Sequence, residues 1–132
     1  MAEFVMKDFV QKAGRAEEFF ISSAATCDWE IGNPIYPPAK EILVKNRIAV
    51  EEHTARQIQK EEYEDWDLII GMDDRNMNDL RELFDGDPQN KIHLLMEYGK
   101  EVRGVADPYF TRDFKACLDD ILEGCNGLLN SL

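Results

Sequence analysis

The chain has no apolar run near the roughly 20 residues that a membrane-spanning helix needs. Residues 1–10 carry acids and lack the basic flank and small-residue cleavage site of a secretory leader, so the sequence reads as cytoplasmic and as having no membrane partner. Basic residues are scarce: 15 Lys and Arg face 27 Asp and Glu, a net charge of −12. Nucleic-acid binding rests on lysine and arginine neutralising phosphates, and with no basic stripe no nucleic-acid partner is expected. An anionic small ligand stays compatible, because a helix N-terminus and one arginine bind it locally against the long-range field. Cysteine is also sparse. Cys27, Cys117 and Cys125 form no C-x-x-C pair and no metal-ligand spacing, which excludes a disulfide framework and suits reduced thiols with no metal and no cofactor.

What is present is the composition of a globular domain: 44% hydrophobic and 32% charged residues, too apolar for a disordered chain and too charged for a membrane one. A length of 132 residues suits one core, so residues 1–132 are read as a single domain.

Apolar residues Phe4, Val5, Phe9, Val10 and Ala13 recur at helical spacing before Gly14, predicting an amphipathic helix over 1–13. Residues 19–24 alternate enough to predict a short strand, and Gly32, Pro34, Pro37 and Pro38 punctuate a loop. The spacing of Ile42, Leu43 and Ile48 after the prolines predicts a helix over 39–47, and a brief polar one is expected over 57–64. The apolar run 66–72 is a buried-strand signature, with Asp73 or Asp74 placed to cap a helix running to Leu83 and Phe84. Residues 91–95 predict a further strand, carrying His93 as a core histidine with its bonds satisfied, and 97–109 a loop. Phe114, Cys117, Leu118, Ile121, Leu122, Cys125, Leu128 and Leu129 then line one face of a last helix, with Cys117 and Cys125 as buried structural thiols. Strands alternating with helices define an α/β chain, a doubly wound parallel sheet in three layers. Three strands are predicted where such sheets have four or more, so the sheet is expected to be one strand short.

Four segments, in this order, resemble one family: Ser22-Ser23-Ala24-Ala25 with Trp29, His53-Thr54-Ala55-Arg56-Gln57-Ile58, Gly71-Met72-Asp73-Asp74-Arg75-Asn76, and Asp107-Pro108-Tyr109-Phe110. They look like the low-molecular-weight protein tyrosine phosphatases, over essentially the whole chain. The resemblance implies a four-stranded parallel sheet. It also implies a nucleophilic cysteine, five residues, an arginine and a serine or threonine, lying before the helix that residues 1–13 resemble. That chemistry requires a thiolate held by a helix N-terminus and an arginine, with backbone N–H groups around the phosphate. Six positions after Cys27, Cys117 and Cys125 stand Asn33, Glu123 and Ser131. No cysteine of the chain is therefore expected to be the nucleophile, and the first, interior strand with its phosphate loop is expected to be missing.

The resemblance assigns roles to four residues. Asp107 matches the general acid that protonates the leaving tyrosine oxygen and later activates water; read alone, it is a turn aspartate before proline. Trp29 and Tyr109 match rings that flank the entrance and receive an aromatic substrate; read alone, they are ordinary half-buried aromatics. His53 matches a histidine bracing the cysteine loop. Phe110 stands where many members have a second tyrosine, and Arg75 where a serine is frequent. Asp73, Asp74 and Asn76 are read as capping groups in preference to metal ligands.

Two functional readings compete. In the first, the intact protein hydrolyses phosphotyrosine, on a protein or a small phosphate ester, through a cysteinyl-phosphate, this chain lacking the nucleophile. In the second, the chain is a non-catalytic binding protein whose exposed strand edges pair with another copy as a homo-oligomer. An arsenate-reductase relative is a more distant alternative that needs the same absent cysteine.

Overall fold

The computed structural model describes residues 1–26, 32–52, 54–106 and 113–132. Helix α1 spans Ala2–Lys12, buries Phe4, Val5, Met6 and Val10, and ends before Gly14, whose φ of 72° is the left-handed conformation glycine adopts without penalty. Helix α2 spans Pro37–Lys45, beginning two residues earlier than the apolar spacing suggested. Its two prolines occupy first-turn positions, where no amide donor is needed. The brief helix expected over 57–64 forms as a 3₁₀ helix, Lys60–Asp65. Its start is closed by Glu62, which accepts from the Gln59 amide at 2.7 Å.

Strands β1, Ile69–Gly71, and β2, Ile92–Leu94, pair in parallel with Ile69 opposite Ile92 and Gly71 opposite Leu94. Between them runs α3, Asp74–Leu83, capped by Asp73, whose carboxylate accepts from the Asn76 amide at 2.8 Å. The loop entering β2 is set by Asp87. Its carboxylate accepts from the Tyr63 hydroxyl at 2.6 Å and from the Lys91 and Ile92 amides at 2.8 and 3.0 Å. A 3₁₀ turn, Leu95–Tyr98, follows β2, and α4, Phe114–Ser131, closes the chain with Asp113 as its cap.

The pleat of the sheet separates two cores. Ile69, Ile92 and Leu94 pack with Tyr63, Met77, Leu80 and Phe84 of the α3 side. Ile70 packs on the opposite side, against the cluster of α1, α2 and α4 that includes Val5, Leu43, Leu118 and Cys125. Helical layers on both faces of a parallel sheet are the three-layer α/β arrangement expected. Cys117 and Cys125 are buried in the first core as free thiols.

Two expectations need correction. Residues 19–24 do not form a strand. They carry the alternation, with Phe20 and Ser22 exposed while Phe19 and Ile21 are half-buried, but join no ladder among the described residues until Ala25 bridges Gln57. Alternation marks a half-buried extended chain, and only a partner backbone makes it a strand. The described sheet thus has two strands where three were predicted. His93 is half-buried, not a core residue, although both ring nitrogens are partnered, one to Glu97 Oε2 at 3.2 Å and the other to the Asn90 carbonyl at 3.1 Å.

Candidate functional site

Asp107, Trp29, Tyr109 and His53, together with Cys27 and Phe110, lie outside the described residues. The structure describes residues that flank them in sequence. Residues 54–58 are threaded between the two ends of the Trp29 segment. On one side the Ala25 amide donates to the Arg56 carbonyl at 2.7 Å and the Ile58 amide to the Ala25 carbonyl at 2.9 Å. On the other, the Gly32 amide donates to the Ala55 carbonyl and the Ala55 amide to the Asn33 carbonyl, both at 2.7 Å. Residues 54–58 and the described residues on either side of 27–31 are therefore brought together by their backbones.

Side chains fix this junction to the body of the domain. Thr26 Oγ1 donates to Asp79 Oδ2 of α3 at 3.0 Å. Arg56 Nη1 donates to both oxygens of Glu62 at 2.9 and 3.0 Å, so the arginine of the His53 segment is occupied by a carboxylate of the 3₁₀ turn. Burial works against ionisation of Glu62, but the Gln59 amide and the Arg56 guanidinium outweigh it and hold the carboxyl below its ordinary range.

The approach to Asp107 is fixed separately, at the C-terminal end of β1, where parallel sheets place their ligand sites. The Val105 amide donates to the Met72 carbonyl at 2.8 Å, just past the strand. Next to it, the Ala106 amide donates to Asp120 Oδ2 of α4 at 2.9 Å. Asp120 also receives Arg103 through both terminal nitrogens, at 2.7 and 2.8 Å, a bidentate pair. The Arg103 bonds, ahead of the Ala106 amide and against the opposing effect of burial, hold the Asp120 carboxyl below its ordinary range. On the far side of the Asp107 segment, Asp113 accepts from the Ala116 amide at 2.9 Å and starts α4. Both ends of that segment are thus tied to the same helix.

Both described cysteines are buried. Burial pushes the Cys125 thiol up to about 12, and its Sγ lies 4.0 Å from the Ala2 carbonyl inside the core. A thiol kept protonated in apolar surroundings is the opposite of an activated nucleophile. Sequence reading missed Thr26, Arg103, Asp120 and the Arg56 to Glu62 pair. None has a local signal, since Arg103 and Asp120 are 17 positions apart and no periodicity joins a loop arginine to a helix aspartate.

A parallel sheet between helical layers, with Val105 bound just past the end of β1, defines a small three-layer α/β domain. Residues 1–132 match the family described as low molecular weight phosphotyrosine protein phosphatase, and the chain belongs to it. It is 33% identical to the low molecular weight protein-tyrosine-phosphatase YfkJ of Bacillus subtilis, covering 100% of this chain and 86% of the relative. It is 35% identical to the low molecular weight phosphotyrosine protein phosphatase 1 of Drosophila melanogaster, over 85% of this chain and 72% of that one. The crystal structure of YfkJ superimposes with a TM-score of 0.93 at 32% identity, over 98% of this chain and 83% of that chain. The low molecular weight protein tyrosine phosphatase of Streptococcus pyogenes gives 0.87 at 36% identity, over 99% and 82%. No helix among the described residues is long and apolar enough to cross a membrane.

Proposed function

We propose that residues 1–132 carry the acid and substrate-holding half of a phosphotyrosine monoester phosphatase, acting in the cytoplasm, and that this chain by itself does not turn over. The observation that carries this reading is the family match over residues 1–132 in a sequence where Asn33, Glu123 and Ser131, and no arginine, stand six positions after its cysteines.

In the reaction that the family membership supports, a cysteine thiolate attacks phosphorus and the bond to the phenolic oxygen breaks. Asp107 gives its proton to the leaving oxygen. Water then attacks the cysteinyl-phosphate, Asp107 takes the proton from it, and inorganic phosphate and the thiolate are released. Trp29 and Tyr109 would hold the flat phenyl ring from either side, and His53 would brace the phosphate loop. Ala106, the residue before Asp107 in sequence, has its amide bound by Asp120 of α4, which supports this reading. The chain supplies the proton and the ring contacts, and the nucleophile must come from a Cys-x5-Arg-Ser loop.

The test is to place such a loop, with a strand leading into it, ahead of Met1 and measure hydrolysis of p-nitrophenyl phosphate. The extended protein is expected to turn over, and Asp107→Asn to lower kcat by about 100-fold or more, the usual contribution of a positioned acid. An Asp107→Asn variant with unchanged kcat and pH profile would remove Asp107 from the mechanism.

A second reading, a non-catalytic protein that pairs strands between copies, is favoured by one observation. Residues 19–24 alternate in burial and enter no described ladder, with Phe19 extended, as in an edge able to accept a strand. A chain that is monomeric by sedimentation at all concentrations would dismiss it.

A further inference from the structure

The alternation of residues 19–21 turns Phe19 and Ile21 toward the α1 and α4 core and leaves Phe20 facing outward, 84% exposed, the most exposed large hydrophobic side chain described. A lone exposed apolar residue is ordinary. This one differs because its ring is held. It stacks on Trp66 with centroids 5.7 Å apart and planes 24° from parallel. Trp66 packs against the α3 core. The outer face of Phe20 is thus the open side of an aromatic pair.

The two segments presenting this pair are acidic. Glu17 precedes Phe20, and Glu61, Asp65 and Asp67 surround Trp66 in sequence; all four are exposed and have no ion-pair partner among the described residues. An open aromatic face presented by segments that carry exposed carboxylates suits a cation, and a planar guanidinium in particular, because it stacks on a ring and is less strongly hydrated than an ammonium. The chain already uses this contact internally, with the Arg15 guanidinium 5.1 Å from the centroid of neighbouring Phe19. A second copy is disfavoured on the same face, since acidic rim would meet acidic rim in a chain of net charge −12.

We propose that the Phe20 and Trp66 pair is a docking surface for an arginine-bearing basic segment of a partner protein. The guanidinium lies on the outer face of Phe20, and Asp65, Asp67, Glu61 and Glu17 supply the charge.

The test titrates the full chain with a short peptide of alternating arginine and glycine, read by calorimetry and by the indole N–H resonance of Trp66. Saturable binding that shifts this resonance is expected, with a lysine counterpart binding more weakly. Phe20→Ser is expected to weaken binding about tenfold, a difference of about 1.4 kcal/mol, whereas Phe20→Tyr, which keeps the ring, retains it. The joint Asp65→Asn and Asp67→Asn change is expected to flatten the salt dependence. Equal affinity for Phe20→Ser and the wild type, equal affinity for the lysine peptide, absence of saturation, or Phe20-dependent self-association of the chain would each overturn the proposal.

Discussion

Gly127 offers a sharp test of how α4 is seated. A methyl group added there would collide with the backbone carbonyl of Tyr98, with its carbonyl carbon at 2.8 Å and its Cβ at 3.1 Å. In an exposed helix interior, replacing glycine by alanine stabilises by about 1 kcal/mol. Here the obstacle is backbone that cannot rotate aside, in a turn whose Leu95 and Met96 are 1% and 0% exposed. Moving α4 outward would undo contacts in a filled core, an overpacking penalty of about 1–3 kcal/mol. With the upper part of that range set against the propensity gain, Gly127→Ala is expected to destabilise by about 2 kcal/mol, lowering Tm by roughly 8 °C for a domain of this size. Gly124 supplies the internal scale. Its added methyl would meet Leu95 Cγ at 2.6 Å, a side-chain carbon that shifts with less disruption than a backbone carbonyl although it is buried, so Gly124→Ala is expected to lose about 1 kcal/mol. Urea unfolding followed by far-ultraviolet circular dichroism measures both. A Gly127→Ala variant as stable as the wild type, or more so, would refute the close seating of α4 on the 95–98 turn.

Further outcomes follow from the same structure. The Asp120 carboxyl is held below its unfolded value, so its stabilising contribution is present above about pH 4 and is lost as pH falls through the depressed folded value. Asp120→Asn should therefore lower the urea midpoint at neutral pH and match the wild type in strong acid; a constant difference across pH would contradict the ion pair with Arg103. With its thiol raised to about 12 by burial, Cys125 should resist iodoacetamide in the native chain at mildly alkaline pH and react on unfolding, read by site-resolved mass spectrometry. Rapid native labelling of Cys125 would show that α4 opens locally. Leu118, 2% exposed between α1 and α4, should lose about 3 kcal/mol as Leu118→Ala, a value that urea unfolding reads directly.

The local part of the fold was legible in the sequence. Phe4, Val5 and Val10 gave α1 its period, Asp73 announced the cap of α3, and the apolar runs around Ile69 and Ile92 marked the paired strands. The misread parts depended on a partner distant in the chain. Residues 19–24 have the alternation of a strand without a ladder among the described residues. The site was legible as family resemblance and not as geometry. Asp107, Trp29, Tyr109 and His53 came from short motifs, and their own positions lie outside the described residues. The bonds that fix their segments, Ala106 to Asp120 and Ala25 to Arg56, are tertiary and leave no mark on neighbouring residues.

The most direct test of the central claim is hydrolysis of p-nitrophenyl phosphate by the unmodified 132-residue chain, with Asp107→Asn and a thiol-alkylated sample beside it. The account predicts no turnover above background from the folded chain in any of the three. Turnover that is lost in Asp107→Asn and blocked by alkylation would contradict it, because one of Cys27, Cys117 and Cys125 would then be acting as nucleophile without an arginine six positions on.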